Sequence, residues 1–254
     1  MGPCLEKFLY LGRITTFGVN HGHIKNLNGN PWTGLHASGG LIPGRVYLVK
    51  GAPGTGKTTL AMHFAMAGVA NGENVLYVTL EEPAENLKVD MTRMGFNLRD
   101  PRFTLIDATP TAERYVLISD FFEEFAANIE KMADAIKRQF QERRYTRIVI
   151  DPITMLKMTA TKEVDYRKAF LSFVKSMIRL KTTVLLTSEL ERTDIEEYLV
   201  NGVIELKVFE VGGRLSRGIR ITKLRGSGFD DAIRQYEITD HGMVVYHDRM
   251  VSLP

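Results

Sequence analysis

The sequence predicts an α/β fold, with a mostly parallel central sheet flanked by helices on both faces and antiparallel hairpins at its C-terminal end. Three observations predict it. Short apolar runs alternate with stretches of helical periodicity from residue 46 to residue 189. The first of these junctions reads VYLVKGAPGTGKTTLAM, so strand, glycine-rich loop and helix follow one another directly. From residue 203 onward the style changes to paired β-rich runs separated by glycine-containing turns.

The elements follow in order. Residues 1–38 form an N-terminal segment of irregular structure or short strands, rich in glycine, asparagine and histidine and holding the only tryptophan, Trp32. His21, His23 and His36 lie there without nearby carboxylates or cysteines, so they read as loop histidines rather than a metal site. Residues 39–254 form a single domain. Val46 to Val49 is a buried strand, Thr59 to Ala70 a helix ended by Asn71-Gly72, and Asn74 to Leu80 a second buried strand. Pro83 suits the first turn of a helix that runs to about Met94, where Gly95 stops it. Phe103 to Ala108 is a strand. Phe121, Phe125, Ile129, Met132 and Ile136 predict one amphipathic helix over 120–144. Ile148 to Asp151 is a strand ending in a carboxylate. A helix over 162–180 turns Phe170, Phe173, Val174 and Met177 inward, and Thr183 to Leu186 is a strand ending in Thr187-Ser188-Glu189. Two hairpins close the chain, over 203–224 around Gly212-Gly213 and over 236–246 around Asp240-His241-Gly242.

Composition sets the bounds. With 44% hydrophobic and 25% charged residues, the 254-residue chain has the make-up of a globular protein with a sizeable core. No internal repeat or low-complexity linker divides it. One cysteine, Cys4, leaves no intrachain disulfide and no cysteine-based zinc site, which fits a reducing cytoplasm. No apolar run approaches the roughly 20 residues needed to span a bilayer, and no signal peptide is expected. A net charge of +3 makes no case for nucleic acid.

The chemistry centres on Gly51-Ala52-Pro53-Gly54-Thr55-Gly56-Lys57-Thr58, which satisfies G-x-x-x-x-G-K-[ST]. Such a loop closes backbone N–H groups round phosphate oxygens at the positive end of a helix, here continued by Thr59. Lys57 reaches the β- and γ-phosphates, and the Thr58 hydroxyl is a ligand for Mg²⁺. This predicts binding of a nucleoside triphosphate. Asp151, at the C-terminal end of a core strand, is the second candidate for Mg²⁺, against a purely structural role capping a turn. Glu81 and Glu82 end a neighbouring strand; one would orient or deprotonate an attacking water, or both would serve a helix N-terminus. Thr187, Ser188 and Glu189 would sense the γ-phosphate or remain solvated loop residues. Lys223 and Arg225, two apart on a predicted strand, share one face and would grip phosphate, whether on ATP or on a nucleic-acid backbone, or guard an exposed edge.

In this order the motifs resemble the RecA superfamily of P-loop NTPases, most closely its KaiC-like branch. The likeness is carried by GGLIPGRVYLVKGAPGTGKTTLAMHFA, GENVLYVTLEEP, RIVIDPITML, TTVLLTSE, EEYLVNGVIELKVFE and ITKLRGSGFDD, and covers residues 39 to 246. The resemblance implies a RecA-like sheet with one further strand between the phosphate-loop strand and the Asp151 strand. It implies Mg²⁺-dependent hydrolysis of ATP to ADP, with Glu81 and Glu82 as the catalytic pair and Asp151 linked to the metal. It also implies a homo-oligomer, a hexamer-type ring, in which Lys223 and Arg225 act in trans on the neighbour's γ-phosphate. Relatives carry a histidine shortly after K-x-R-G where this chain has Gly228-Phe229, which puts one such contact in doubt. The leading function is a nucleotide-dependent oligomeric regulator or assembly factor. The alternatives are a DNA-recombination accessory ATPase similar to RadA paralogues, for which Lys157, Lys162 and Arg192 offer modest charge, and a nucleotide sensor or small-molecule kinase.

Overall fold

The computed structural model describes residues 7–10, 13–16, 41–109, 133, 136–140, 142–154, 157, 162–189, 193–211 and 213–251. Two short strands, β1 (Lys7–Tyr10) and β2 (Arg13–Thr16), pair antiparallel in a sheet of their own. The remaining strands are β3 (Val46–Lys50), β4 (Val75–Thr79), β5 (Phe103–Asp107), β6 (Arg147–Asp151), β7 (Thr183–Ser188), β8 (Gly202–Val211), β9 (Arg214–Leu224), β10 (Arg234–Thr239) and β11 (Gly242–Met250). They form one sheet in the order β11-β10-β9-β8-β3-β7-β6-β4-β5. The helices are α1 (Lys57–Ala70), α2 (Ala84–Arg93), α3 (Glu163–Arg179) and α4 (Asp194–Leu199).

The sheet is parallel from β5 through β8 and antiparallel from β8 to β11. β7 lies between β3 and β6, where the resemblance implied a further strand. One expectation needs correction. The run beginning at Val203 reads as the start of the antiparallel extension, yet β8 adds to β3 in parallel and only its other edge is antiparallel. The reason is α4, which no sequence signal over 190–202 announced. It supplies the crossover that a parallel connection needs.

Two apolar layers cover the sheet. Tyr47, Val49, Tyr77, Val149 and Leu185 face α1 and α2. Val46, Leu48, Leu76, Ile148, Ile150 and Leu186 face α3 and α4. Alternation along each strand thus feeds both cores, as strands covered on both sides require. In α3, Phe170, Phe173, Val174 and Met177 are buried as expected, joined by Tyr166 and Ala169. α1 is buried nearly all round, and Tyr236 of β10 and Met243 of β11 join the same apolar cluster as its buried residues. Pro83 stands just before α2 rather than inside it, and the Asp107 carboxylate accepts the Ala84 N–H at 2.8 Å. Of the helix expected over 120–144, Ala133, 136–140 and Glu142 are helical and Ile136 is buried; Phe121, Phe125, Ile129 and Met132 lie outside the described residues. His21, His23, His36, Trp32 and Cys4 lie outside them too. Among the described residues no helix is long and apolar enough to cross a membrane.

Candidate active site

The phosphate loop leaves β3 at Lys50 and enters α1 at Lys57. Its start is tied to the neighbouring strand, since Gly51 donates its N–H to the Ser188 carbonyl at 3.2 Å. The Ala52 carbonyl gathers three donors: the Thr55 N–H at 3.3 Å, the Thr55 hydroxyl at 2.8 Å and the Lys57 ammonium at 3.0 Å. Ala52, Pro53 and Gly54 form the exposed rim, while Thr55, Lys57 and Thr59 are buried and Thr58 is half-buried. Gly56 has φ 87°, a left-handed setting that a side chain would strain, and an added Cβ would stand 2.7 Å from Ile238 Cδ1. The first turn of α1 holds no acidic residue and its start has no side-chain cap. Its N–H groups and dipole are therefore left to an anion.

Asp151 ends β6 and is buried. One carboxylate oxygen accepts the Tyr77 hydroxyl at 2.7 Å, and the other accepts the Thr187 hydroxyl. Burial, and then the adjacent Asp151 charge, push the Tyr77 phenol well above its ordinary range, so it keeps the proton it donates to Asp151. Thr58 and Asp151 offer hydroxyl and carboxylate oxygens, the hard donors Mg²⁺ takes, and Mg²⁺ needs only one or two such protein ligands beside phosphate and water. The donor set fits that ion. Among the described residues there is no cluster of three or more histidine, cysteine or carboxylate side chains that would hold a different metal.

Glu81 and Glu82 occupy the bend between β4 and α2, ahead of the helix rather than in its first turn, whose acidic residue is Glu85. Partial burial raises the carboxyl pKa of both. Their electrostatic neighbours differ. Glu81 feels Glu189, Asp151 and Lys57, whereas Glu82 feels Asp90 first, then Asp151 and Glu81. The charge of Lys57 thus acts on Glu81, and that of Asp90 in α2 on Glu82. Of the polar end of β7, Thr187 and Ser188 are buried, and Glu189 is ion-paired with Lys57 at 3.0 Å.

Lys223 and Arg225 are placed elsewhere. Lys223 lies opposite Val203, which lies opposite Leu48, while the Arg225 N–H bonds to the Asn201 carbonyl and the Asn201 N–H to that of Val46. Arg225 is therefore level with the start of β3 and Lys223 with its middle, whereas the phosphate loop follows its end. Within this chain they hold the C-terminal end of α4: Lys223 donates to the Glu197 and Tyr198 carbonyls, and Arg225 to that of Tyr198 at 2.8 Å. Cations suit that end of a helix. Burial, followed by the neighbouring Arg225, lowers the Lys223 pKa. Of the residues considered for a DNA path, Lys157 is bound to buried Glu196 at 3.2 Å, Lys162 is exposed ahead of α3, and Arg192 lies outside the described residues.

Three contributors went unread in the sequence. The Tyr236 hydroxyl on β10 donates to the Thr55 carbonyl at 2.6 Å, the His63 imidazole on α1 accepts the Met243 N–H at 2.8 Å, and Tyr77 holds Asp151. Their one available signal is a polar-tipped aromatic at an inward strand or helix position, which carries no indication of its partner.

Comparison with known proteins follows the same outline. A family model described as "ATPase: KaiC" matches residues 13–250. A UPF0273 protein of Thermotoga maritima is 30% identical over 219 residues, covering 82% of this chain and 90% of its own length. One from Aeropyrum pernix is 27% identical over 232 residues, covering 85% and 90%. Among solved structures, a KaiC-like protein from the hyperthermophilic archaeon Pyrococcus horikoshii superposes with a TM-score of 0.70 at 28% identity, over 83% of this chain and 93% of that one.

Proposed function

Since the chain belongs to the KaiC family of ATPases, we propose that it binds ATP at the phosphate loop, hydrolyses it slowly with Mg²⁺, and works as a nucleotide-dependent oligomer that regulates or assembles other components. The observation that carries this reading is the ion pair of buried Lys57 with Glu189 at 3.0 Å, beside Glu81 and Asp151 at the ends of adjacent parallel strands that open on the same edge as the loop. A phosphate cradle alone binds; a cradle with carboxylates beside it also has a place for the proton of an attacking water.

The proposed step is in-line. Water attacks the γ-phosphorus and gives its proton to Glu81, the bond to the β-bridging oxygen breaks, and ADP departs. Lys57 and the α1 N-terminus hold the negative charge that moves onto the phosphate oxygens. Thr58 and Asp151 would hold Mg²⁺, which would supply positive charge against that building on the phosphate oxygens. The Glu82 carbonyl accepts the Thr79 hydroxyl, which supports the bend that carries Glu81. ATP must take Lys57 from Glu189. Charge-assisted bonds to several phosphate oxygens outweigh that single pair.

Lys223 and Arg225 are engaged with carbonyls at the end of α4 rather than with their own loop, which supports their assignment to a neighbour's γ-phosphate and slow turnover by a single chain. The match of Lys157 to Glu196 leaves less cation for a nucleic-acid path and favours the regulator over the recombination accessory. The test is particle size with no nucleotide, with ADP and with a non-hydrolysable ATP analogue, alongside phosphate release with and without single-stranded DNA. Larger particles with the analogue and DNA-independent turnover are expected. A monomer throughout overturns the shared site, and strong stimulation by DNA restores the recombination reading.

A further inference from the structure

We propose that Tyr77 is a positioning residue: with Thr187 it holds the Asp151 carboxylate in one rotational setting, and that setting is what Mg²⁺ uptake at the nucleotide requires. This rests on the reading of the site as a Mg²⁺-dependent ATPase.

The geometry points there from three adjacent strands. β6 carries Asp151 at its end, β4 supplies Tyr77 from one side and β7 supplies Thr187 from the other. Thr79 lies opposite Asp151 and Val49 opposite Thr187, so the clamp is built at the level where the strands give way to the site loops. The torsion that turns a carboxylate is broad and nearly two-fold, so a single donor would leave Asp151 free to swing. Two hydroxyls, one on each oxygen and from opposite sides, stop that rotation. An ionised carboxylate has two lone-pair sites on each oxygen. The clamp occupies one on each and leaves one on each for a metal ion or its bound water.

A tyrosine used only to fill the core would need no carboxylate. Tyr77 is fully buried and packs beside Phe103, with ring centroids 6.2 Å apart. Phenylalanine would meet that packing with no polar atom to satisfy. The hydroxyl is the part of the side chain that speaks to Asp151, and it is held by a strand rather than a loop, which is how a supporting group keeps a ligand within a narrow setting.

The experiment is a calorimetric titration of Mg²⁺ into the protein saturated with ADP, for wild type, Tyr77→Phe and Thr187→Val, with metal-free ADP affinity measured beside it. In Tyr77→Phe the apparent Mg²⁺ affinity is expected to fall about tenfold, while metal-free ADP affinity stays within about twofold. Raising Mg²⁺ should restore turnover in Tyr77→Phe and not in Asp151→Asn. Unchanged Mg²⁺ affinity in folded Tyr77→Phe overturns the inference. So does a parallel loss of metal-free ADP binding, which marks a merely structural role. Should Tyr77→Phe fail to fold, Thr187→Val decides: weakened Mg²⁺ uptake supports the clamp and unchanged uptake overturns it. Wild-type protein that takes up no Mg²⁺ with ADP overturns instead the ATPase reading on which the inference rests.

Discussion

The parallel and antiparallel halves of the large sheet serve the site in opposite ways. In the parallel half, β3, β4, β6 and β7 all end at the same edge. Gly51, Glu81, Asp151 and Glu189 arrive together because they follow or finish those ends. The antiparallel half packs on the loop from the side, with Ile238 near the end of β10 and Met243 near the start of β11 against Gly56. β10 reaches the phosphate loop through an inward side chain, Tyr236, and β11 reaches α1 through the backbone of Met243. β9 carries Lys223 away to α4. Parallel strands gather chemistry by direction alone, whereas antiparallel strands place each residue by register and alternation. The first half makes the site and the second braces it and, on our proposal, serves another.

The sharpest break in that contrast is Lys57→Ala. It removes the buried cation of the parallel half and should bring nucleotide binding below detection in a fluorescent-ADP titration; retained tight binding would sink the phosphate-loop assignment. Next is Glu81→Gln, expected to slow ATP turnover by about 10²- to 10⁴-fold if this carboxylate takes the proton of water. Glu82→Gln should cost less, since the charge of Asp90 acts on this carboxylate and that of Lys57 on Glu81. The raised pKa of Glu81 has a sign that can be checked. The base works only when deprotonated, so activity should fail as pH drops through a value above the 4.5 of an ordinary glutamate, and Glu81→Gln should abolish that limb.

Arg225→Ala tests the other half. It should leave ADP affinity unchanged and lower turnover roughly tenfold, a modest loss because Lys223 remains beside it. Mixing inactive Lys57→Ala subunits with Arg225→Ala subunits should raise activity above the sum of the two, since a Lys57→Ala neighbour then lends its Arg225 to the intact loop of an Arg225→Ala subunit; simple addition of activities would return both cations to a purely structural duty on α4. The smallest effect belongs to the brace. Tyr236→Phe leaves the buried Thr55 carbonyl without its donor and should lower unfolding stability by about 1–3 kcal/mol in a denaturant titration, with turnover at saturating ATP nearly kept.

Much of this site is readable along the chain because its chemistry is local. The loop from Gly51 to Thr58 needs its own backbone and the helix that follows, and both are contiguous. Asp151 and Glu81 are legible as polar residues that close apolar strands. Other features depend on neighbours the chain does not list. That Glu189 pairs with Lys57 follows from β7 lying beside β3. That β8 is parallel to β3 follows from a six-residue helix too short to show a periodicity.

The sequence by itself therefore determined the class of fold, the phosphate loop and the carboxylates at the strand ends, because helical and strand periods, glycine turns and strand–loop–helix order are properties of consecutive residues. Tertiary structure alone decided which strand stands next to which. That order brought Tyr77 and Thr187 to the two oxygens of Asp151, set Tyr236 beneath Thr55, and turned Lys223 and Arg225 from their own loop toward α4. The physical reason is that hydrogen bonds between side chains far apart in sequence depend on register across the sheet, and register is fixed by the packing of both faces at once.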